Sequence, residues 1–544
     1  MLSYAHGPGA LPLLGETIGE NLRRTSERFP DSDALVVRSQ RYRATYRQLW
    51  DETTVLARAL LATGIEAGER VGIWAPNRFE WVIAQYASAR AGAILVNINP
   101  AYKAAELRYA LRQSGVKLLL LARAFRGCDY VETLAQVRAD CPDLREAVVL
   151  DGEWEALLAR ARDASETDLA AREARLQFDD PINIQYTSGT TGAPKGATLT
   201  HHNILNNGLF LGQTLGYTEK DRVCVPVPFY HCFGMVIGNL ACTTHGACIV
   251  TPGEAFDPLL TLEAVSAERC TSLYGVPTMF IAELAHPRFH EFDLSSLRTG
   301  IMAGAPCPIE VMRKVQSLMH MPEVTIGYGM TETSPVSAQT GRHDPLERRV
   351  STVGRVHHHV EIKVVDPVTG ATVPRGQPGE YCTRGYHVML GYWNEEAATR
   401  SAIDATGWMH TGDLATMDAE GFVKIVGRIK DMIIRGGENV SPREVEELLH
   451  AHPDVQEAQV IGVPSERYGE EVMAWVRLAP GASVTATGLE DYCRGRIADF
   501  KVPKLWKLVD EFPMTVTGKV QKFRMREIAI AELGLQKAAG IPTA

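Results

Sequence analysis

The segment TSGTTGAPKGA, residues 187–197, concentrates the residue types that bind anions. Glycine and proline interrupt helices and strands, and Ser and Thr side chains compete for backbone hydrogen bonds, so the segment is predicted to be a loop. Its hydroxyls can donate to a phosphate, its glycines let backbone N–H groups approach closely, and Lys195 adds a positive charge. An ordinary polar surface loop explains the composition equally well.

The same segment departs from the Walker A pattern, G-x-x-x-x-G-K-[ST]. Pro194 precedes Lys195 and Gly196 follows it, so the hydroxyl that would hold magnesium after the lysine is missing. We therefore expect the loop to hold phosphate through its own hydroxyls, while a carboxylate elsewhere in the chain binds the metal. Those hydroxyls belong to Thr187, Ser188, Thr190 and Thr191.

The elements around this loop alternate between short apolar strands and helical segments. Strands are predicted at 71–77, 94–100 and 116–122, with a helix at 104–114 between the last two. This alternation is typical of layered α/β folds with largely parallel sheets, in which function lies at the carboxyl ends of the strands. The anion loop follows a predicted strand at 183–187, as this placement requires.

The pattern changes in the last third of the chain. After about Val353, strands closed by turns predict a smaller β subdomain. From Asp431 a compact α/β pattern follows, with helices predicted at 441–452 and 489–500 and strands at 455–464 and 471–480. We place the domain boundary between Lys430 and Asp431, which gives an N-terminal domain of residues 1–430 and a C-terminal domain of residues 431–544.

Composition narrows the class of protein. The 544 residues are 45% hydrophobic and need two or more cores, and a net charge of −9 without a basic stripe excludes nucleic acid as a partner. The ten cysteines lack C-x-x-C spacing, which favours reduced thiols in the cytosol. Without an apolar run of membrane length or a signal peptide at the start, we expect a soluble, cytoplasmic protein with no integral membrane segment. A homodimer is left open.

Five separated segments resemble the ordered core motifs of the adenylate-forming superfamily, which includes acyl-CoA synthetases, peptide adenylation domains and luciferases. They are YTSGTTGAPKGA (186–197), YGMTETSP (328–335), HTGDLA (410–415), GRIKDMIIRGGENVSPREVE (427–446) and PMTVTGKVQK (513–522). The start of the chain and the segments DPINIQYTSGTTGAPKGATLTHHNI and KDMIIRGGENV are most similar to medium-chain fatty-acid:CoA ligases. Unlike a mitochondrial precursor, this protein is expected to begin without an Arg-rich leader.

This resemblance implies a large N-terminal domain of layered α/β subdomains plus a β subdomain, and a small mobile α+β C-terminal domain. It also implies an AMP-forming acid–thiol ligase that uses ATP, Mg²⁺ and coenzyme A. A carboxylic acid would attack the α-phosphorus of ATP to form an acyl-adenylate, and the CoA thiol would then displace AMP. Positioning and charge stabilisation would carry most of the catalysis.

The resemblance also assigns roles around the nucleotide. Glu332 would bind the magnesium, Thr331 would donate to the α-phosphate, and Tyr328 would stack on adenine. The anion loop would hold the β- and γ-phosphates through Thr187, Ser188, Gly189, Thr190, Thr191, Gly192, Ala193, Pro194 and Lys195. The backbone opposite adenine would be that of Gly304, Ala305 and Pro306. Taken alone, Glu332 could be a surface acid and Tyr328 a core residue.

In the second half of the chain, Asp413 would accept hydrogen bonds from the ribose hydroxyls, with Arg428 near the same sugar. Lys519 would place its cation between the attacking carboxylate and the α-phosphate. Lys430 matches the family's hinge, about which the C-terminal domain would rotate between the two half-reactions. That rotation would bring to the site Arg435, Gly436, Gly437 and Glu438. A turn aspartate and solvated lysines are the alternative interpretations.

The acyl site is predicted around the segment PFYHCFGM, residues 228–235. His231 matches a gate between the acyl site and the CoA tunnel, and a packed core histidine is its alternative. The other predicted lining residues are Cys232, Phe233, Gly304, Gly329, Pro335 and Val336, with the two glycines leaving room for a chain or ring. The segment has no acid to pair with a substrate ammonium, which favours an apolar carboxylic acid. The run 357–359 is expected to lie in a strand, where three adjacent histidines diverge and cannot share a metal.

Three functions are left open: a fatty acyl-CoA ligase, a CoA ligase for aryl or short substituted acids, and a nucleotide-binding regulatory protein without turnover. The joint presence of Glu332, Asp413, Arg428 and Lys519 argues against the third. Only 25 residues follow Lys519, which disfavours an appended carrier domain.

Overall fold

The computed structural model describes residues 1–187, 194–304, 307, 309–436, 438–465, 467–494, 496–515 and 519–539. The chain divides into two compact units. The larger unit contains Ala5–Ile362 and Thr383–Met409, and the smaller unit contains Met1–Tyr4, Lys363–Cys382 and His410–Ala544. The smaller unit therefore takes in strand segments that precede residue 431, and the boundary at Lys430/Asp431 stays a prediction.

A nine-stranded sheet and a seven-stranded sheet form the framework of the larger unit. The first sheet runs in the order Arg355–Val356, Val336–Gln339, Glu323–Gly329, Thr299–Ala303, Ser272–Gly275, Arg222–Cys224, Cys248–Thr251, Asp33–Val37 and Tyr42–Thr45. Its central pairs are parallel and its outer pairs are antiparallel. The prediction of largely parallel sheets is confirmed.

The seven-stranded sheet carries the anion loop. Its order is Gly391–Tyr392, Lys195–Thr200, Pro181–Thr187, Ile94–Asn97, Arg70–Trp74, Val116–Leu121 and Glu146–Val149. Strand residues such as Val71, Ile73 and Trp74 are buried on both faces, as is typical of parallel strands covered by helices. A small hairpin joins Ala124–Phe125 to Cys128–Asp129.

Helices cover these sheets, and their caps explain several boundaries. The helix predicted at 104–114 is observed as Ala104–Ser114 and ends at Gly115 in the left-handed region. The long helices of the larger unit are Ile18–Arg28, Tyr46–Ala62, Phe79–Ala91, Ala104–Ser114, Tyr130–Val137, Leu150–Ala159, Glu166–Glu173, His201–Leu215, Pro258–Glu268, Pro277–Leu284 and Ile309–Leu318. Shorter ones are Cys232–Gly234, Met235–Leu240, Ala241–Thr243, Leu346–Ser351 and Glu396–Ala402.

Two further sheets lie later in the chain. One runs in the order Tyr4–His6, Val360–Val365, Gly379–Gly385, Met409–Met417 and Val423–Arg428. The other runs in the order Glu438–Val440, Ile433–Arg435, Gly469–Leu478 and Val455–Ser465, with Leu505–Leu508 parallel to the third of these strands. Helices Pro442–His450, Ala486–Cys493, Lys522–Glu532 and Gln536–Ala539 complete the smaller unit.

Two local predictions are wrong. The helix predicted at 489–500 begins at Ala486 and ends at Cys493, because Arg494 takes an extended conformation just before a glycine of low helix propensity. The histidines at 357–359 lie in a turn and not in a strand. His358 Nδ1 is 3.0 Å from the carbonyl oxygen of Pro8, and His359 Nε2 is 2.7 Å from that of Leu11.

Among the described residues, no helix is both long enough and apolar enough to cross a bilayer.

Candidate active site

A β-hairpin presents the two ends of the predicted anion loop. Pro181–Thr187 pairs antiparallel with Lys195–Thr200, and Thr187 lies opposite Lys195 at the end of the ladder. The first of these strands is also parallel to Ile94–Asn97, which anchors it in the sheet. The predicted phosphate ligands Ser188, Gly189, Thr190, Thr191, Gly192 and Ala193 lie outside the described residues. Thr187, Pro194 and Lys195 are the described members of that set.

The predicted metal ligand, Glu332, lies beside this hairpin. It belongs to the short 3₁₀ turn Thr331–Thr333, which follows the strand Glu323–Gly329, and it is only 5% exposed. Its Oε1 accepts hydrogen bonds from Thr187 Oγ1 at 3.2 Å and from Tyr392 OH at 2.9 Å. Two sequence-distant hydroxyls therefore fix one carboxylate, which lies 145 residues from the first and 60 from the second along the chain.

Tyr392 is a site residue that the sequence analysis missed. It lies on the edge strand Gly391–Tyr392, where it pairs with Ala197 of the hairpin. Lys195 Nζ lies 5.0 Å from its ring centroid. Burial and the negative charge of Glu332 raise the pKa of Tyr392, so the phenol stays a hydrogen-bond donor. A lone tyrosine in GYWNEE carries no chemical motif, and only the fold shows its partner.

The donor set around Glu332 fits a magnesium ion. Both hydroxyl partners are neutral, so they orient the carboxylate and leave its negative charge uncompensated. No salt bridge to Glu332 is found within the part of the chain that the structure describes. An oriented, nearly buried carboxylate oxygen beside an anion loop is the kind of hard ligand that Mg²⁺ takes together with substrate phosphates.

Thr331 connects this cluster to the predicted acyl site. Its side chain is buried, and its Oγ1 lies 3.8 Å from Cys232 Sγ. The neighbouring His231 is half-buried and begins the short helix Cys232–Gly234 as its N-cap. His231 Nδ1 accepts the backbone N–H of Phe233 at 3.2 Å, so the proton of the neutral ring lies on Nε2. The structure thus brings together five of the predicted residues of the larger unit: Thr187, Glu332, Thr331, Cys232 and His231.

A π-helix, Met235–Leu240, follows this segment directly. π-Helices are rare in proteins, and those that occur are often located at functional sites. Buried amides hold its first residue: Gln85 Nε2 donates to the carbonyl oxygen of Met235 at 3.2 Å, and Asn97 Nδ2 lies 3.3 Å from its sulfur. Asn97 also donates to the carbonyl oxygen of Tyr230 at 2.9 Å, so both flanks of His231 are fixed to the sheet.

The remaining predicted acyl residues have mixed surroundings. Phe233, Pro335 and Val336 are buried, as expected for an apolar lining. The reason given for Gly329 is wrong, because a Cβ there would lie 1.7 Å from the carbonyl oxygen of Pro335. This glycine lets the chain approach itself and leaves no room for a ligand at that point.

The predicted adenine-binding residues are only partly described. Tyr328 is half-buried on the strand that leads to Glu332, and its carbonyl oxygen accepts the Ser337 hydroxyl at 3.4 Å. Gly304 is exposed and has a φ of 84°, a left-handed conformation that favours glycine. Ala305 and Pro306 lie outside the described residues, so the adenine role of this set stays a prediction.

In the smaller unit, Asp413 and Arg428 form a pair across two strands. They are register partners in the strands Met409–Met417 and Val423–Arg428, and Arg428 Nε donates to Asp413 Oδ1 at 2.9 Å. The Asp413 carboxylate is nearly buried, whereas the Arg428 side chain is 61% exposed. The sequence placed both residues near one sugar, and the structure confirms only that they lie together.

The backbone of Lys519 is hydrogen-bonded to Thr515. Its N–H donates to Thr515 Oγ1 at 3.0 Å, and its carbonyl oxygen accepts the N–H of Thr515 at 2.7 Å. Lys430 is exposed in the 3₁₀ turn Ile429–Asp431. The structure therefore anchors the backbone on which the predicted catalytic cation lies.

The residues predicted to act with CoA are Arg435, Gly436, Gly437 and Glu438. Arg435 forms an ion pair with Glu471 and lies over the Tyr468 ring at 4.4 Å, and the Glu471 contact raises the Arg435 pKa. Gly436 has a φ of 61°, and Glu438 is exposed. Gly437 lies outside the described residues. The Glu471 carboxylate accepts from Nε and Nη2 of Arg435.

Comparison with protein families matches two models. The AMP-binding enzyme model matches residues 22–393, and the AMP-binding enzyme C-terminal domain model matches residues 444–519. Among curated proteins, the chain is 45% identical to YngI of Bacillus subtilis (strain 168), which is provisionally named an acyl-CoA synthetase, over 97% of this chain and 99% of the relative. It is 44% identical to the mitochondrial medium-chain acyl-CoA ligase ACSF2 of Danio rerio, over 98% of this chain and 91% of the relative.

Comparison with solved structures finds the same architecture. The crystal structure of the anthranilate CoA ligase AuaEII in complex with anthranoyl-AMP matches with a TM-score of 0.87. The two chains are 28% identical, and the match covers 96% of this chain and 99% of that one. The predicted fold class, a large N-terminal and a smaller C-terminal α/β domain, is confirmed.

Proposed function

We propose that this chain, which belongs to the AMP-binding enzyme family and is an ATP-dependent acyl-CoA ligase, activates a medium-chain fatty acid. The observation that carries the mechanism is the convergence of Thr187, Glu332 and Tyr392, which orients one nearly buried carboxylate beside the hairpin of the predicted anion loop. ATP, Mg²⁺ and coenzyme A are the reactants and cofactor of this class of ligase.

The reaction has two steps, adenylation and thioester formation. A carboxylate oxygen of the fatty acid forms a bond to the α-phosphorus of ATP, the α–β phosphoanhydride bond breaks, and pyrophosphate leaves. The CoA sulfur then forms a thioester at the carbonyl carbon, the acyl–phosphate bond breaks, and AMP leaves while the thiol gives up its proton. Because the phosphoryl centre carries spread negative charge, fixed cations and oriented donors supply most of the catalysis.

In the larger unit, we assign the metal to Glu332. Magnesium, when bound there, would neutralise charge on the phosphates. Thr331 would donate its hydroxyl to the α-phosphate. Because Cys232 Sγ lies 3.8 Å from Thr331 Oγ1, the carboxylate of the fatty acid would lie close to Cys232 and His231. Lys195 would hold the terminal phosphates, while Tyr392 keeps Glu332 oriented.

In the smaller unit, Asp413 would accept from the ribose hydroxyls and Arg428 would lie near the sugar. Lys519 would stabilise the charge that develops during adenylation, and Lys430 would act as the hinge that exchanges Lys519 for the CoA-side segment around Gly436. The exposed Arg428 side chain and the hydrogen bond from the Lys519 backbone to Thr515 support these roles. The four role assignments are based on the motif positions of these residues and on the contacts just described.

Two lines of support favour a fatty substrate. The segment 228–235 contains no acid, and Cys232, Phe233 and Val336 are buried among apolar neighbours. A relative at 44% identity is named a medium-chain ligase. The alternative, an aryl acid, is favoured by the structural similarity to an anthranilate ligase at 28% identity.

AMP release by the full chain tests these alternatives. The panel comprises acetate, hexanoate, octanoate, decanoate, palmitate, benzoate and anthranilate, each with and without CoA. We expect CoA-dependent turnover to be highest with the three acids of intermediate length. A preference for benzoate or anthranilate would replace the fatty-acid proposal with the aryl one, and no acid-dependent AMP would favour a regulatory nucleotide-binding protein.

We also propose a reducing, cytoplasmic location. Eight of the ten cysteines are buried, which agrees with thiols kept reduced. A homodimer stays a prediction.

A further inference from the structure

Three metal-ligating side chains meet in the smaller unit, outside the residues assigned to the reaction. Glu380 and Cys382 lie two residues apart on the strand Gly379–Gly385, so both side chains point to the same face of the sheet. His410 lies on the neighbouring strand, Met409–Met417. One donor atom from each of the three residues lies within 4.8 Å of the other two.

The distances are close to those of a tetrahedral metal site. His410 Nδ1 lies 2.8 Å from Glu380 Oε2 and 3.4 Å from Cys382 Sγ. Ligands of a tetrahedral zinc ion, at about 2.0 to 2.3 Å from the metal, are separated from one another by about 3.5 Å. Side-chain movements of about 1 Å would therefore admit the ion.

The chemistry of the set selects the kind of cation. A thiolate, an imidazole and a carboxylate together suit Zn²⁺, whereas Mg²⁺ prefers an all-oxygen shell. Two anionic ligands would balance the double charge of the ion, and a water would complete four-fold coordination. Cys382 is fully buried, but the His410 side chain is 31% exposed, which provides a route for entry.

We propose that Glu380, Cys382 and His410 form a binding site for one zinc-class cation per chain. The same atoms form a hydrogen-bonded cluster in this structure. Glu380 Oε1 also accepts a hydrogen bond from the backbone N–H of Gly412 at 3.1 Å. Binding would replace the Cys382–His410 and His410–Glu380 contacts with bonds to the metal.

The site is linked to Asp413 through that same backbone. Gly412 is held by Glu380, and the Asp413 N–H donates to Thr411 Oγ1 at 3.2 Å. A metal that draws Glu380 toward itself would weaken the Gly412 contact and shift Asp413. We therefore expect bound zinc to lower the affinity for AMP, a consequence that rests on the proposed ribose role of Asp413.

Cobalt and zinc titrations of the full chain test the site itself. We expect one equivalent of Co²⁺ to give the absorption of a tetrahedral thiolate complex, and zinc X-ray absorption to show one sulfur at about 2.3 Å and nitrogen or oxygen at about 2.0 Å. Cys382→Ser and His410→Gln should each weaken zinc binding by about 100-fold or more, since even outer partners of ligands cost 10–100-fold.

Matched controls are Cys307→Ser and His358→Gln, which change a thiol and a histidine elsewhere in the chain. Both should bind zinc as the unsubstituted chain does. Binding that survives Cys382→Ser and His410→Gln in folded protein, or is lost in the controls instead, would overturn the site. Circular dichroism verifies that each variant is folded.

The coupling is measured separately, as AMP affinity with and without one equivalent of zinc. A weaker affinity that returns to normal in Cys382→Ser supports it. An unchanged affinity with the site filled would overturn the coupling and leave the metal site in place, and this result is independent of acyl-CoA turnover.

Discussion

The two carboxylates on which the proposal relies, Glu332 and Asp413, are held in opposite ways. Glu332 receives hydrogen bonds from the neutral hydroxyls of Thr187 and Tyr392. Asp413 is paired with the guanidinium of Arg428. Both carboxylates are nearly buried, so burial does not distinguish them.

The difference lies in the charge that each carboxylate retains. The side-chain donors to Glu332 among the described residues are neutral, and a buried carboxylate without an ion-pair partner favours a bound cation. Arg428 already balances Asp413, which leaves that carboxylate suited to accepting hydrogen bonds from neutral hydroxyls. Under the proposal, Glu332 would hold a cation in the larger unit, and Asp413 would accept from the sugar hydroxyls in the smaller unit.

The largest effect is expected for Glu332→Gln. The amide oxygen can still accept from Thr187 and Tyr392, so the fold is retained while the charge is lost. Removing one such electrostatic contact should slow adenylation by about 10²–10³-fold and raise the magnesium concentration needed. ATP–pyrophosphate exchange measured against Mg²⁺ tests this.

Glu323→Gln, at the start of the strand that leads to Glu332, is the control and should leave the magnesium dependence unchanged. An unaltered magnesium requirement in Glu332→Gln would show that the metal is held elsewhere.

Lys519→Ala tests the smaller unit. We expect adenylation to fall by about 10²-fold or more, because one charge-stabilising contact is lost. Thioester formation from preformed acyl-adenylate should survive. The two half-reactions are measured by pyrophosphate exchange and by CoA-dependent consumption of synthetic acyl-AMP.

Lys501→Ala, which removes a surface lysine paired with Glu444, serves as the matched control. Normal pyrophosphate exchange in Lys519→Ala would make the assignment of the catalytic cation wrong.

Lys430→Pro should separate the half-reactions in the other direction. Ile429 lies in a 3₁₀ turn, a conformation disfavoured before proline, so the substitution should restrict changes at the hinge. We expect thioester formation to lose more activity than adenylation. Equal losses in the two assays would count against a hinge at this residue.

Tyr392→Phe sharpens the account of the larger unit. It removes the 2.9 Å hydrogen bond to Glu332 and keeps the aromatic ring beside Lys195. A lost bond to a charged group, about 1.5 kcal/mol, corresponds to about a tenfold loss of adenylation. Steady-state rates against Mg²⁺ measure it, with Tyr109→Phe as the control.

A Tyr392→Phe enzyme with normal rates at limiting Mg²⁺ would mean that Thr187 alone orients Glu332. In that case the tyrosine would be a structural residue of the sheet edge.

The last prediction concerns stability and not catalysis. Burial lowers the pKa of His201 from 6.5 to about 3, so the folded chain keeps this ring neutral while the unfolded chain takes up a proton below pH 6.5. Its contribution to the free energy of unfolding is therefore full above pH 6.5 and falls by about 1.4 kcal/mol per pH unit on acidification.

In His201→Asn the oxygen can still accept the Ile18 N–H that His201 Nδ1 accepts at 3.2 Å, and the slope should flatten by that amount. Denaturant unfolding between pH 4 and 7 measures the difference from the unsubstituted chain. The exposed His290→Asn is the control, and equal slopes for His201→Asn and the unsubstituted chain would contradict the prediction. Comparing variants matters because burial also raises the pKa of Glu283, which acts with the opposite sign.

The sequence predicted the parts of the fold that local patterns encode. The helix Ala104–Ser114, with a glycine directly after it, and the hairpin strand before the anion loop follow from periodicity and turn residues. The end of the helix Ala486–Cys493 was not predicted correctly, because the amphipathic spacing continues past Arg494, where the backbone leaves the helical conformation.

Contacts between distant segments were beyond the sequence. Tyr392 lies 60 residues from Glu332, and His410 lies 28 residues from Cys382, so no spacing rule relates either pair. The prediction that Gly329 leaves room for a ligand is wrong because the backbone at Pro335 folds back against this glycine. Motif positions identified Glu332 and Asp413, and only the structure distinguishes the charges of their surroundings.

The central claim is that an acyl-adenylate forms beside Glu332. The most direct test is mass spectrometry of a single turnover with octanoate, ATP and Mg²⁺ and without CoA, comparing the unsubstituted chain with Glu332→Gln. We expect octanoyl-AMP and pyrophosphate in equal amounts from the former and at least about tenfold less from the latter. Absence of any acyl-adenylate from the unsubstituted chain across the full acid panel would contradict the claim.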